Sequence, residues 1–183
     1  MMNRTMAAIF LLALSPLFIL VSIAIFMEDG CPVFFKQKRV GKDYSFFHIY
    51  KFRTMAKGTP NVATHLLIDP MNYLLKVGSI LRKTSLDELP NLISILKGDM
   101  VFVGPRPALY NQEDLMTLRV KTGVSKIKPG LTGWAQINGR DEISIVEKVR
   151  LDQEYLIQKS WHFDFMIIIK TFVKVFIHKE ITH

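Results

Sequence analysis

From Met6 to Met27 the chain carries no charged side chain, and this apolar run is broken near its middle by Ser15-Pro16. A helix of that length would extend about 33 Å, enough for a hydrocarbon core of about 30 Å. Proline removes the N–H that would bond the Leu12 carbonyl, and its ring crowds the preceding turn. Pro16 therefore kinks the helix, with Ser15 available to satisfy the freed group. Two topologies follow: a span with its C-terminal side cytoplasmic, or a re-entrant hairpin with both ends cytoplasmic. Arg4 before the run and Lys36, Lys38, Arg39 and Lys42 after it agree with either. A cleaved secretory signal fits poorly: the apolar core is too long, a lone arginine makes a weak basic region, and no small-x-small site precedes Glu28 and Asp29. In each retained reading the chain works at a lipid surface.

Residues 31–183 suffice for one compact domain. The net charge of +8 and the pI near 9.6 suit anionic partners: phospholipid headgroups, nucleotide phosphates or nucleic acid. The single cysteine, Cys31, excludes an internal disulfide and a multi-cysteine metal site. The histidines are scattered without i, i+4 pairs or an HExxH motif, which leaves zinc without a ligand set.

Two aromatic, basic strands are expected over Pro32–Val40 and Tyr44–Phe52, joined at Gly41-Lys-Asp. Ala56 to Asp69 reads as a loop before a helix over Met71–Arg82, and a second helix begins near Asp87 and stops at Lys97-Gly98. Val101-Phe-Val reads as a short buried strand, and Glu113–Lys121 and Ile143–Gln158 as helices. In the C-terminal helix from Trp161, Lys170, Lys174 and His178 fall four apart on one face. It either lies in the membrane interface, with Trp161, Phe163, Phe165 and Phe172 toward acyl chains, or packs on the core.

Ser85-Leu-Asp87-Glu88-Leu-Pro90 places two carboxylates where a helix begins. By spacing, Ser85 and Glu88 form a capping box. The same turn also suits chemistry: free N–H groups and the positive helix end favour negative charge and draw phosphate oxygens. One carboxylate could then attack phosphorus while its neighbour holds a divalent cation. Gly104-Pro105-Arg106-Pro107 confines Arg106 to extended backbone; it is either a rigid exposed loop or an arginine aimed at a diphosphate. Lys51 and Arg53, two apart, either share one anion or line a solvated edge. Lys128-Pro-Gly130 through Arg140 is rich in glycine and amides; Asn138-Gly139 signals a hairpin turn, Trp134 or Gln136 could serve a base, and Arg140 a phosphate.

In this order, these segments closely resemble the bacterial sugar transferase family, monotopic phosphoglycosyl transferases that start lipid-linked glycan assembly on polyprenol phosphate. The resemblance is carried by the Ser15-Pro16 break, the run from Pro32 to Gly41, Ile49-Tyr-Lys-Phe-Arg-Thr-Met, Arg82 through Leu92, Lys97-Gly-Asp-Met, Val103-Gly-Pro-Arg-Pro and Pro129 through Arg140. It implies an α+β protein: a re-entrant membrane helix over residues 1–30, then a mainly helical catalytic domain over 31–183 with a short β-hairpin and an interfacial helix over 161–178. It also implies attack by Asp87 on the β-phosphorus of a UDP-sugar, release of UMP, and transfer of the phosphosugar to polyprenol phosphate. Glu88, with Asp87, matches the Mg2+-associated acids; Arg82 and Arg106 the phosphate contacts; Arg140 the nucleotide side; and Lys51 an active-site cation. Asp152 and Asp164 fall where the family also carries acids. The implied location is the cytoplasmic face of a bacterial inner membrane, with UDP-sugar, polyprenol phosphate and phospholipid as partners and no nucleic acid. Asn3 stands where relatives often carry an acid, and the stretch from Ala56 to Pro70 departs from commoner versions.

The competing class is a membrane-anchored binding protein for nucleic acid or a nucleotide, which accounts for charge and anchor but leaves Asp87-Glu88 and Arg106 unexplained. The re-entrant topology predicts that cysteines placed near the N-terminus and near Lys36 are labelled from the same, cytoplasmic side. Labelling from opposite sides would establish a span.

Overall fold

The computed structural model describes residues 2–60, 69–139 and 143–177. The apolar run forms two helices, α1 (Met2–Ala13) and α2 (Ser15–Asp29), bent by 60° at the break. The expected device is present at the kink: Ser15 Oγ donates to the Leu12 carbonyl at 2.7 Å, supplying the bond that Pro16 cannot make. No single described helix is long and apolar enough to cross a membrane, whereas α1 and α2 together are.

Both ends of this bent pair are fastened to the same domain. At the start of α1, Arg4 donates to the Lys97 carbonyl, and Asn3 Oδ1 accepts from the Phe102 N–H at 3.3 Å. At the end of α2, the Glu28 carboxylate accepts from the Lys76 and Val77 N–H groups at 2.6 and 3.0 Å, capping helix α3 (Lys76–Thr84). Next to it, buried Arg53 donates to the Asp29 carboxylate and to the Asp29 and Gly30 carbonyls. The Lys57 backbone N–H and the Arg53 guanidinium hold the Asp29 carboxyl below its ordinary range. One side of the pair packs inward through Ala7, Val21 and Ile25, while Ile9, Leu12, Ile19, Leu20, Ile23 and Met27 stay exposed.

The expected hairpin forms from β1 (Phe34–Val40) and β2 (Phe46–Phe52), in the register Phe34 opposite Phe52 and Val40 opposite Phe46. Strand β2 starts two residues later than the aromatic pattern suggested because Lys42–Tyr44 forms a 3-10 turn in which Asp43 and Tyr44 adopt left-handed backbone; β1 ends at Val40 as expected but starts at Phe34 rather than Pro32. The far edge of β1 pairs with β4 (Ala108–Leu109), giving the order β2-β1-β4. The free edge of β2 is met by side chains: Asn91 Oδ1 accepts from the Tyr50 N–H at 3.0 Å, and Ser94 Oγ donates to the His48 carbonyl at 2.9 Å.

The helix expected over Met71–Arg82 is a 3-10 turn, Pro70–Tyr73, followed by α3. The helix expected from Asp87 opens as a 3-10 turn, Leu86–Asn91, and becomes α-helical only in α4 (Leu92–Lys97), which ends at Gly98 with φ 90° as its Lys-Gly signal required. Val101–Val103 forms β3, which pairs in parallel with β5 (Gly130–Thr132). Helix α5 (Glu113–Lys121) has the expected bounds, and α7 (Ile145–Gln158) starts two residues late because Ser144 caps it through the Glu147 N–H. Among the described residues no hairpin forms at Asn138-Gly139, which end the short helix α6 (Trp134–Ile137); residues 140–142, next in the chain, lie outside the described residues. Residues 61–68 of the expected loop, and His178, lie outside the described residues.

Helix α8 (Trp161–Ile177) is two-faced. Ile167 is fully buried with Phe163 and Met166 packed around it, while Trp161, Phe165, Ile169, Phe172 and Val173 form an exposed apolar stripe. Phe163 therefore serves the core, correcting its expected place toward acyl chains. Its ring packs against Trp134 in a tilted arrangement, 5.1 Å between ring centres and 49° between planes.

Gly78 sits where α3 crosses the backbone of Thr54, and a Cβ there would lie 2.1 Å from the Thr54 carbonyl oxygen. Alanine normally strengthens a helix interior by about 0.5–1 kcal/mol over glycine. Here the clash reverses the sign: Gly78→Ala is expected to cost roughly 1–3 kcal/mol. A lower thermal midpoint in detergent confirms this, and a raised one refutes it.

Candidate active site

Helix α3 ends at Ser85, whose left-handed backbone (φ 56°) turns the chain sharply into the 3-10 turn. The capping box read from Ser85 and Glu88 does not form: no side-chain cap bond is made there, and Glu88 instead reaches across to two cations. Its Oε1 accepts from Lys51 Nζ at 2.8 Å and from Arg106 Nη2 at 3.2 Å. Asp87 is 8% exposed overall, and its Oδ2 lies 3.8 Å from Lys51 Nζ. Two carboxylates and two cations, from three separate segments, thus meet at one point.

Lys51, Glu88 and Arg106 of this group line a depression of about 260 Å³, open to solvent, together with Arg39, Asn91 and Leu131 among others; Asp87 sits next in the chain to Glu88, within 3.8 Å of Lys51 Nζ. Cations already drawn to carboxylates are preorganised to receive phosphate oxygens, since an arriving diphosphate exchanges one anionic partner for another. Asn91 is 3% exposed and ties the end of the 3-10 turn to β2, the strand that carries Lys51. The relative position of Lys51 and the acid pair is set by that bond.

The remaining expected residues divide. Arg82 Nε donates to Thr54 Oγ1 at 2.9 Å, so in this structure it steadies the α3 crossing rather than contacting the acid pair. Arg53 does not share an anion with Lys51: β2 ends at Phe52, and Arg53 turns back to Asp29. Gln136 Nε2 donates to the Leu131 carbonyl at 3.2 Å, beside the depression, while its buried Oε1 has no hydrogen-bond partner. Trp134 packs against Phe163, and its Nε1 donates to Glu154 at 3.0 Å. Arg140 lies outside the described residues.

Asp152 stands apart from the depression as half of a buried ion pair. Its Oδ2 accepts from Arg119 Nη2 at 2.6 Å and Nε at 3.1 Å, and Arg119 Nη1 in turn donates to the Arg106 carbonyl at 2.9 Å. Sequence reading passed over both Arg119 and Arg39, whose Nη1 donates to the Pro107 carbonyl at 3.0 Å. No local spacing signals either contact.

The bacterial sugar transferase family matches residues 1–178. The chain belongs to that family. It is 44% identical over 176 residues to the uncharacterized sugar transferase EpsL of Bacillus subtilis (strain 168), covering 96% of this chain and 86% of the relative. It is 38% identical to the UDP-glucose:undecaprenyl-phosphate glucose-1-phosphate transferase of Escherichia coli (strain K12), covering 95% of this chain and 39% of that protein. A third relative, the UDP-N-acetylgalactosamine-undecaprenyl-phosphate N-acetylgalactosaminephosphotransferase of Aeromonas hydrophila, is 33% identical, with 86% of this chain and 38% of the relative covered. The chain therefore spans well under half the length of the last two. Membership bears out the expectation of a transferase and disfavours a purely binding role.

In this sugar transferase Asp164 anchors α8. The Tyr155 hydroxyl lies 2.9 Å from the Val103 carbonyl and 2.8 Å from Asp164 Oδ1, with one proton for two acceptors. Burial pushes the Asp164 carboxyl above its ordinary value of 3.8 and the Tyr155 hydroxyl above its own. For an acid raised on folding, stability is fully present below the unfolded value and is lost as pH rises through the folded one. Asp164→Asn is expected to flatten the decline of the thermal midpoint with pH above 3.8. Identical pH slopes for variant and wild type would refute it.

Proposed function

We propose that the chain transfers a sugar-1-phosphate from a UDP-sugar to polyprenol phosphate at the cytoplasmic face of a bacterial membrane, through an acyl phosphate on Asp87. The observation that carries this reading is the acid pair of buried Asp87 and half-buried Glu88, with Lys51 beside both carboxylates and Arg106 on Glu88. Two relatives support the reaction class: by name each acts on undecaprenyl phosphate, one with UDP-glucose and one with UDP-N-acetylgalactosamine.

In the first step an Asp87 carboxylate oxygen attacks the β-phosphorus, the bond from that phosphorus to the bridging oxygen breaks, and UMP leaves with the electron pair. In the second, a phosphate oxygen of the polyprenol phosphate attacks the same phosphorus and releases the carboxylate, giving a polyprenyl diphosphate sugar. Phosphoryl transfer depends on positioning and on offsetting charge. Lys51 and Arg106 offset the negative charge of the diphosphate.

Among the described residues no group of three or more His, Cys, Asp or Glu side chains forms a metal cage. Asp87 and Glu88 fit Mg2+ nonetheless, because that ion is commonly held by one or two carboxylates with substrate phosphates and water completing its shell. Glu88, with Asp87, would hold it. Bound there it would neutralise part of the diphosphate charge.

A charged, soluble donor and a lipid acceptor meet only at the interface. The bent α1–α2 pair supports a re-entrant anchor, since Asn3 and Arg4 at one end and Glu28 and Asp29 at the other all bond to one domain. The exposed stripe of α8 and the apolar outer faces of α1 and α2 provide surfaces suited to lipid.

With UDP-glucose and UDP-N-acetylgalactosamine as trial donors and no acceptor present, the protein is expected to release UMP in a burst of about one per active site. Asp87→Asn abolishes the burst, and chelation with EDTA removes activity that added Mg2+ restores. Normal turnover by Asp87→Asn would eliminate the covalent route.

A further inference from the structure

Three consecutive carbonyls of the Gly104-Pro105-Arg106-Pro107 loop each accept a hydrogen bond from a different part of the chain. Pro105 accepts from the Gly130 N–H at 2.9 Å, Arg106 from Arg119 Nη1 at 2.9 Å, and Pro107 from Arg39 Nη1 at 3.0 Å. Proline at 105 and 107 removes two backbone donors, so the carbonyls are the main handles by which this backbone can be held. The Arg106 side chain leaves in the direction of Glu88, with Nη2 3.2 Å from Oε1.

The middle handle is the most constrained. Arg119 on α5 is 4% exposed and Asp152 on α7 is 1% exposed. Two donors of one planar guanidinium converge on Asp152 Oδ2, and this fixes the plane in which the third donor meets the Arg106 carbonyl. Buried at the loop's back, Arg119 meets the site through the Arg106 backbone. An ion pair buried this deeply adds little stability over apolar side chains of similar volume, because desolvation offsets the attraction. Orientation is what the pair supplies and an apolar pair would not.

We propose that Arg119 and Asp152 are positioning residues of the transfer reaction, fixing the Arg106 backbone so that its guanidinium meets the donor diphosphate beside Glu88. This rests on the reading above that Arg106 serves the diphosphate.

The test removes both charges together, so that neither is left buried alone: Arg119→Met with Asp152→Leu, made in the wild-type background and again with Arg106→Ala. UMP release is measured with UDP-glucose and UDP-N-acetylgalactosamine, alongside the thermal midpoint, on full-length protein in nanodiscs. The expected result is a fall in kcat/KM of roughly a hundredfold, the scale of a misplaced catalytic contact, with the midpoint little changed. No further fall is expected when Arg106 is already alanine. A merely structural defect subtracts equally from both backgrounds, and equal losses would overturn the proposal. If the double variant fails to fold, Arg119→Lys carries the same comparison, since a single ammonium cannot serve Asp152 and the Arg106 carbonyl with the same fork. Unimpaired UMP release by Arg106→Ala alone would instead sink the diphosphate reading on which the proposal stands.

Discussion

Pro16 cannot donate to the Leu12 carbonyl, and the architecture follows from how that missing bond is absorbed. Ser15 takes over the carbonyl, the helix bends by 60°, and an apolar segment long enough for a crossing leads back to the domain it left. The return holds because the polar residues flanking the run find partners there. Glu28 caps α3, Asp29 binds Arg53, and Arg4 closes on the last turn of α4. A bent apolar helix without those fastenings would have no reason to stay beside one domain.

The same fastenings reach the chemistry. Helix α3 is capped at its start by Glu28 of α2 and turns at its end, through left-handed Ser85, into the acid pair. On the other side, Asn91 and Ser94 bind that turn and α4 to the open edge of β2, which delivers Lys51. The acid pair is held between α3 and a sheet, and its cations arrive from segments that local geometry does not relate to it. For the proposed reaction, which aligns a diphosphate and balances its charge, rigid placement matters more than any single strong contact.

Much of this was legible residue by residue. The break at Pro16 and its rescue by Ser15 follow from one missing N–H, and the end of α4 from Lys97-Gly98; helix α5 has the bounds expected of it. The acid pair and Arg106 stand out by their own spacing, with a structural reading beside the functional one, and the family resemblance added the roles it implies for them. What misled was local logic applied where tertiary partners won: Ser85 and Glu88 have the spacing of a capping box, yet Glu88 bonds two cations instead. Arg53 looked like a companion to Lys51 and proved to be the clasp on Asp29, because the strand ends one residue before it. Asn138-Gly139 carries a hairpin signal, yet Asn138 caps the end of α6 and, among the described residues, β5 pairs only with β3.

By itself, then, the sequence determined the bent apolar segment, the α+β class and the transferase family, because each is written in contacts within a few residues or in motifs read in order. Only the tertiary structure decided which cations meet Glu88, that Arg53 fastens the end of α2, and that Arg119 and Asp152 stand behind Arg106. Those are encounters between distant segments, settled by packing and by the cost of leaving a buried charge unpaired, and no spacing along the chain encodes them.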